Sequence, residues 1–484
     1  MKKAIVVLFI LILVSNLIHA VNKAVKYKIV DTGVTEFYDN RTQISIPGKG
    51  DSFYGQDSQY KSNQASYTDN GDGTISDNVT GLKWQKVMNG KMSYDEALRE
   101  VRVLKLGGYS DWRVPNIKEL YSLIRFDGRV QGQKVIKPFI DTGFFDQPIG
   151  NSRLGEREID AQTWSLTEYV GRTMKNDETV FGVNFLDGRI KGYPKYNPRT
   201  RKPKKMYFRF VRGNTSYGKN NFIDNGDGTI TDSATGLIWQ KNDSKRGMNW
   251  ENAIKYAENI KTSGHSDWRL PDAKELQSIV DYSRSLQTTD SAAIDPIFSC
   301  TEIKDYEGNK QYPYYWTSTT HLDGRNPYSN AAYIAFGEAT GKMRGKVMDV
   351  HGAGAQRSDP KSALTTKWFG PQGDERRVYN FVRCVRGGKV AIQITEPSKT
   401  EINSASNNFK DSIGESQSRT GGNIDKKNRF INRLDKDKDG KVSKVEFDGP
   451  KNRFGSFDKN CDGYITADEA PKGPPGRKMK PRRR

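Results

Sequence analysis

Two stretches of this chain are near copies of each other. YTDNGDGTISDNVTGLKWQK (67–86) returns as FIDNGDGTITDSATGLIWQK (222–241). GYSDWRVPNIKELYSLI (108–124) returns as GHSDWRLPDAKELQSIV (264–280), at an offset of 155–156 residues. TWSLTEY (163–169) parallels YWTSTTH (315–321), and FRFVRG (208–213) parallels VRCVRG (382–387). The order is the same in both copies, so a whole domain has been duplicated. A period this long means two globular domains, 65–213 and 222–388, and not a solenoid.

The repeated DNGDGT crowds acids around glycine and invites a calcium reading. A helix–loop–helix calcium loop needs oxygen ligands at positions 1, 3, 5, 9 and 12, with glycine at 6. With Gly73 at position 6, positions 1 and 12 fall on Thr68 and Val79; in the second copy they fall on Ile223 and Ala234. The ligand set fails at both ends. Asn-Gly and Asp-Gly supply positive φ and join two strands, so both strings are expected to be hairpins. Helices should follow. Ser93 with Glu96, Asn116 with Glu119 and Asp272 with Glu275 have capping-box spacing, and Asn249 is a further cap. Hairpins, two helices and then short strands make each copy α+β.

Six of the eight tryptophans occupy matched positions: 84/239, 112/268 and 164/316. Core packing explains them; a sugar-stacking platform is the sharper alternative. Asp111/Arg113 and Asp267/Arg269 flank a Trp and are expected to form ion pairs that fix the turn. The first copy lacks both cysteines that the second carries, Cys300 and Cys384. Their joint presence predicts a Cys300–Cys384 disulfide, with two buried free thiols as the alternative. Cys461 is left over.

These motifs resemble the Lcl C-terminal domain family, in YTDNGDGTISDNVTGLKWQ, SDWRVPNIKEL, TWS and the closing VRG. Residues 21–64 hold the lead-in seen in such proteins. The resemblance implies a C-type-lectin-like fold and a surface or envelope role with glycan binding. It transfers no catalytic residues.

The two ends of the chain differ from this body. Residues 1–20 have a basic start, an apolar run and a small Ala20, the pattern of a secretory signal peptide; an uncleaved anchor is the alternative. A secreted or extracytoplasmic place, periplasm or cell surface, follows. The net charge of +20 then favours anionic glycans or envelope polymers over nucleic acid. Residues 389–425 are poor in large apolar side chains and read as a flexible linker. Residues 426–471 hold two loops that look like EF-hands, a compact α-helical pair. The first offers Asp435, Asp437, Asp439, Lys441 (by its carbonyl), Ser443 and Glu446. The second offers Asp458, Asn460, Asp462, Tyr464, Thr466 and Glu469. Every ligand position is met twice, so calcium is the expected cofactor. The tail 472–484 carries seven basic residues and suits an anionic surface, a membrane included.

One more segment stands out. Residues 188–213 hold ten Lys/Arg and no acid, interleaved with tyrosines. Arg199, Arg201, Lys202, Lys204 and Lys205 are its expected ligand-binding residues, since guanidinium forks suit sulfate and carboxylate. Enzyme signatures such as HExxH, GxSxG or CxxC are absent from the sequence, and no enzymatic activity is expected. His351 and Arg357 are the residues to watch; a strongly displaced pKa at His351 would reopen the question. A protein-interaction or scaffold module of the envelope is the alternative to a glycan-binding protein.

Overall fold

The computed structural model describes residues 25–364 and 366–391, then 430, 431, 433–436, 441–443, 446, 447, 454, 457, 458, 464–466, 469 and 470. The signal-peptide segment, most of the linker, the tail, Cys461, Asp437, Asp439, Asn460 and Asp462 lie outside these residues. The chain divides into two compact units, Met1–Ile394 and Thr395–Arg484. The first is strand-rich with few helices. Among the described residues no helix is long and apolar enough to cross a membrane.

The first copy opens on β1 (Tyr67–Asp69), β2 (Thr74–Asp77) and β3 (Leu82–Gln85). Helices α1 (Tyr94–Val103) and α2 (Ile117–Ser122) follow, then β4 (Thr163–Glu168), β5 (Thr179–Asn184), β6 (Arg189–Pro194) and β7 (Val211–Gly213). The second copy repeats this with β8 (Phe222–Asp224), β9 (Thr229–Asp232), β10 (Leu237–Gln240), α3 (Trp250–Asn259) and α4 (Ala273–Ser278). It continues with β11 (Tyr314–Thr320), β12 (Asn330–Ala335), β13 (Thr340–Met343), β14 (Lys346–Asp349), β15 (Gln356–Pro360), β16 (Trp368–Phe369), β17 (Asp374–Glu375) and β18 (Val385–Arg386).

The local expectations hold. DNGDGT is a hairpin tip in both copies, joining β1 to β2 and β8 to β9. Its acids are already occupied. Asp69 pairs with Lys86 at 2.6 Å and Asp224 with Lys241 at 2.5 Å. Asp72 and Asp227 accept from the hydroxyls of Thr74 and Thr229. Gly71 and Gly73 have φ of 75° and 84°, as such a tip demands. Ser93, Asn116 and Asp272 each form a full capping box, and Asn249 caps α3.

The tertiary arrangement goes further than two beads on a string. One six-stranded sheet runs β11-β12-β15-β6-β5-β4, half from each copy. The copies meet where Ile190 of β6 pairs with Gln356 of β15, antiparallel. One apolar core spans the junction, taking Ile75, Leu120, Phe181 and Ile190 from the first copy and Ile230, Leu276, Tyr315 and Ile334 from the second. Fully burying such side chains is worth about 1.5–3 kcal/mol each, so most of the driving force is shared between copies. The lead-in is stitched into this body. Phe126 N donates to Thr32 O at 2.8 Å, and Lys274 Nζ to Asp31 O at 3.0 Å. Tyr60–Lys61 pairs with Val390–Ala391. Buried Lys389 bridges Asp57 at 3.3 Å and Asp272 at 2.6 Å. Residues 389–391, at the start of the expected linker, therefore belong to the folded body.

Three sequence readings resolve here. The six matched tryptophans are buried, 5% exposed at most, and pack the core. The turn ion pairs exist with other partners: Asp111 pairs with Arg212 and Asp267 with Arg386, while Arg113 and Arg269 grip Glu119 and Glu275. Each arginine is claimed instead by the capping-box glutamate of the helix that follows it. The Cys300–Cys384 disulfide is corrected: both are free thiols. Cys384 lies in the Trp250–Trp268–Trp316 cluster of the second copy. Cys300 packs against the shared core, with Sγ 3.1 Å from the Tyr315 hydroxyl. The pair belongs to two different packing layers.

In the second unit, Ile431, Leu434, Val442, Phe454, Ile465 and Ala470 form a small buried cluster. Val442–Ser443 pairs antiparallel with Tyr464–Ile465, with Val442 opposite Ile465.

Candidate functional site

The basic segment of the first copy folds into a hairpin beyond β6. Tyr196 bridges Pro203, and Asn197 Oδ1 accepts from Arg199 N and Thr200 N to close the tip. Arg199, Arg201 and Lys202 are exposed there. Lys204 and Lys205 are not equivalent to them. Lys204 is half-buried with Nζ 5.5 Å from the Tyr193 ring centroid, and burial lowers its pKa. Lys205 is paired with Glu96 at 2.9 Å. The Ser93 amide first, then Lys205, hold Glu96 down at about 2. The structure thus leaves three of the five expected ligand residues at the tip, half-buries Lys204 and holds Lys205, still exposed, in a surface ion pair.

A second surface was missed from sequence. In the second copy β13 leaves the large sheet and builds its own, in the order β14-β13-β17-β16. Phe369 is 59% exposed and Tyr306 56% exposed. Tyr306 and Trp368 lie 5.9 Å apart at 69°. Cations cover them: Lys367 Nζ is 2.8 Å from the Tyr306 centroid and 5.5 Å from that of Trp368, and Arg376 is 4.9 Å from Phe369. Lys342 Nζ is 6.0 Å from Trp368. Aromatic faces with cations beside them can stack on a sugar and pair its sulfate or carboxylate. The signal in the sequence was KWFGPQGDERR (367–377), basic and aromatic residues interleaved, but Tyr306 joins them only through the fold.

His351 and Arg357 do come together. His351 Nε2 lies 2.7 Å from Arg357 Nη1 and 2.7 Å from Asp374 Oδ1, and Arg357 also grips Asp374. The ring is 1% exposed. Burial first, then Arg357, push its pKa down to about 4. The cluster continues to the copy junction through Arg189, which reaches Asp323 and Ser358. Ion-pair networks that only join elements displace pKa values in the same way as catalytic sites do. The contacts of this ring, to Arg357 and Asp374, are those of such a network.

In the second unit the expected ligands Asp435, Lys441, Ser443, Glu446, Asp458, Tyr464, Thr466 and Glu469 are described. Glu446 folds back over its own loop, accepting from Lys436 N and Ser443 N at 2.8 Å each and from Ser443 Oγ at 2.7 Å. Glu469 accepts from Thr466 N and Oγ1 at 3.0 Å each. Among the described residues, no group of three or more His, Cys, Asp or Glu is arranged to hold a metal ion.

The Lcl C-terminal domain family matches residues 73–212 and again 228–351, more than half of the chain. The protein belongs to that family. No curated protein and no solved structure matches it. The Lcl C-terminal match includes the 195–205 hairpin in the first copy. In the second it stops at residue 351, so β15, Trp368, Phe369 and Arg376 lie beyond the matched residues. The aromatic surface is therefore built jointly, by Tyr306 and Lys342 from within the second Lcl C-terminal match and by Lys367, Trp368, Phe369 and Arg376 from the part that follows it.

Proposed function

We propose that this is a secreted or surface-associated binding protein for anionic glycans or envelope polymers. The observation that carries the reading is exposed Tyr306 beside half-buried Trp368 with Lys342 and Lys367 over their rings, while exposed Phe369 with Arg376 lies on the other face of the same strand. The exposed tip of Arg199, Arg201 and Lys202 supplies a second basic contact. The net charge of +20 draws polyanions to both. Membership of the Lcl C-terminal domain family supports a binding role outside the cytoplasm, as does the signal-peptide pattern. The lectin-like character of the repeats belongs to this same proposal.

The second unit is proposed to hold structural calcium as an EF-hand pair. The Val442–Ile465 pairing supports it, because these are the position-8 residues through which two such loops join. Glu446 and Glu469 stand at position 12, where a bidentate carboxylate completes the site.

The test is binding of the full chain to sulfated, carboxylated and neutral oligosaccharides, titrated with salt. Saturable binding to charged members, weakened by added salt and by Trp368→Ala with Lys367→Ala, is expected. Binding equal across charged and neutral sugars, or none in a folded sample, overturns the glycan reading and leaves an envelope scaffold.

A further inference from the structure

The two copies make several contacts reciprocally across their seam, and the two sides of that seam differ in what fills them. On one side the lead-in fills a groove between the copies. Thr32 O takes the amide of Phe126, Asp31 O takes Lys274 Nζ, and Asp57 accepts from Thr32 Oγ1 at 2.8 Å and from Thr319 Oγ1 at 2.6 Å. The sequence matches give each of these groups a counterpart. Phe126 corresponds to Tyr282, Lys274 to Lys118, Thr319 to Thr167, and Arg125 to Asp281. The counterparts face each other too. Ile117 N donates to Thr167 Oγ1 at 3.0 Å, as Ala273 N does to Thr319 Oγ1 at 3.0 Å.

On this second side no lead-in is present. Lys118, Thr167 and Tyr282 instead line an open cleft of about 590 Å³, with Phe222 on its wall and Asp281 and Asp295 beside them. Asn220 Oδ1 takes Lys118 Nζ at 2.8 Å, in the place that Asp31 O holds on the other side. Two donors stay over. Among the described residues, the Tyr282 amide and the Thr167 hydroxyl have no acceptor, whereas their counterparts donate to Thr32 and Asp57.

We infer that this cleft binds an extended peptide segment of a partner protein, in the manner in which the groove on the other side binds residues 31–34. The peptide carbonyl accepts from Tyr282 N, and a side-chain oxygen accepts from Thr167 Oγ1. Backbone pairing supplies the affinity of such sites and neighbouring side chains the selectivity. Here the selectivity is for a basic residue. Gly33 lies against the Arg125 guanidinium in the filled groove, where an added Cβ would come within 3.3 Å of Nη2. Asp281 replaces Arg125 in the open one, so a Lys or Arg of the peptide belongs opposite it.

Two synthetic peptides test this against the full-length protein: residues 27–38 of this chain, and the same peptide with D-lysine in place of Gly33, whose handedness suits the φ of 78° there. Binding is followed by fluorescence anisotropy and by amide exchange. The lysine peptide is expected to bind saturably and to protect the Tyr282 amide while leaving Phe126 unchanged. Asp281→Arg should weaken it about fivefold, the size expected of a part-exposed charge pair reversed, and should leave the unmodified peptide bound as before or tighter. Thr167→Val should weaken both. Absence of binding, indifference to Asp281→Arg, or loss of protection at Phe126 because the peptide has displaced the chain's own lead-in would each overturn the inference. So would competition by sulfated oligosaccharides at equal affinity, which would make the cleft a sugar site.

Discussion

Lys118 and Lys274 each hold the end of the other's helix. Lys118 Nζ donates to Ser278 O at 2.6 Å, and Lys274 Nζ to Ser122 O at 2.9 Å. Burial lowers both ammonium groups to about 8. The carbonyls are the last of α2 and α4, which would otherwise end buried without partners. Lys274 adds the bond to Asp31 O and thereby anchors the lead-in.

Lys274→Met should therefore destabilise the protein more than Lys118→Met. The first leaves two buried backbone carbonyls unpaired, at about 1–3 kcal/mol each, whereas the second leaves one, Ser278 O, and the Asn220 amide oxygen at the open cleft, where water can reach it. Urea unfolding followed by tryptophan fluorescence measures both. Equal costs would show that the lead-in contact contributes nothing.

Neither copy should fold alone. Cutting between residues 213 and 222 splits the shared core and exposes β6 and β15 as open edges. Separate halves are expected to lack cooperative unfolding, and to regain it when mixed. A sharp thermal transition in either isolated half would refute this.

Acid should weaken the fold through His351. Its pKa is 6.5 unfolded and about 4 folded, so between those values the unfolded chain binds more protons. Stability then falls as pH drops from 6.5 towards 4, by on the order of 3 kcal/mol from this ring. Asp374 opposes the shift, while Arg357 and Lys191 reinforce it. His351→Gln should flatten that part of the stability–pH curve relative to the native chain. Parallel curves would locate the acid sensitivity elsewhere.

The thiols of Cys300 and Cys384 should be silent in the folded state. Burial raises Cys300 to about 11 and Cys384 further, and the thiolate is the reactive form. Alkylation in native buffer should leave both unmodified, and alkylation in denaturant should modify both without prior reduction. A requirement for reductant would restore the disulfide.

Calcium titration checks the second unit. Two sites of about 10⁻⁴–10⁻³ M are expected, as in extracellular modules of this kind. Glu446→Gln and Glu469→Gln should each remove one site. Heat release unchanged by both variants would remove calcium from the account.

Much of the local structure was legible in the sequence. Both DNGDGT hairpins, the capping boxes at Ser93, Asn116 and Asp272, and the buried tryptophans follow from spacing over a few residues. Such features depend on φ/ψ preference and on side chains within one turn, so the chain carries them wherever it goes. The duplication was equally plain. What tertiary structure alone decided is who meets whom across long separations. Asp111 passed over Arg113 for Arg212, Cys300 and Cys384 were parted into two layers, and Tyr306 met Lys367 and Trp368. Two like domains became one body because β6 and β15 closed each other's edge and the lead-in sealed one side of the seam. These partnerships are chosen by burial and by the satisfaction of buried polar groups over the whole body, and no short stretch of the sequence contains them.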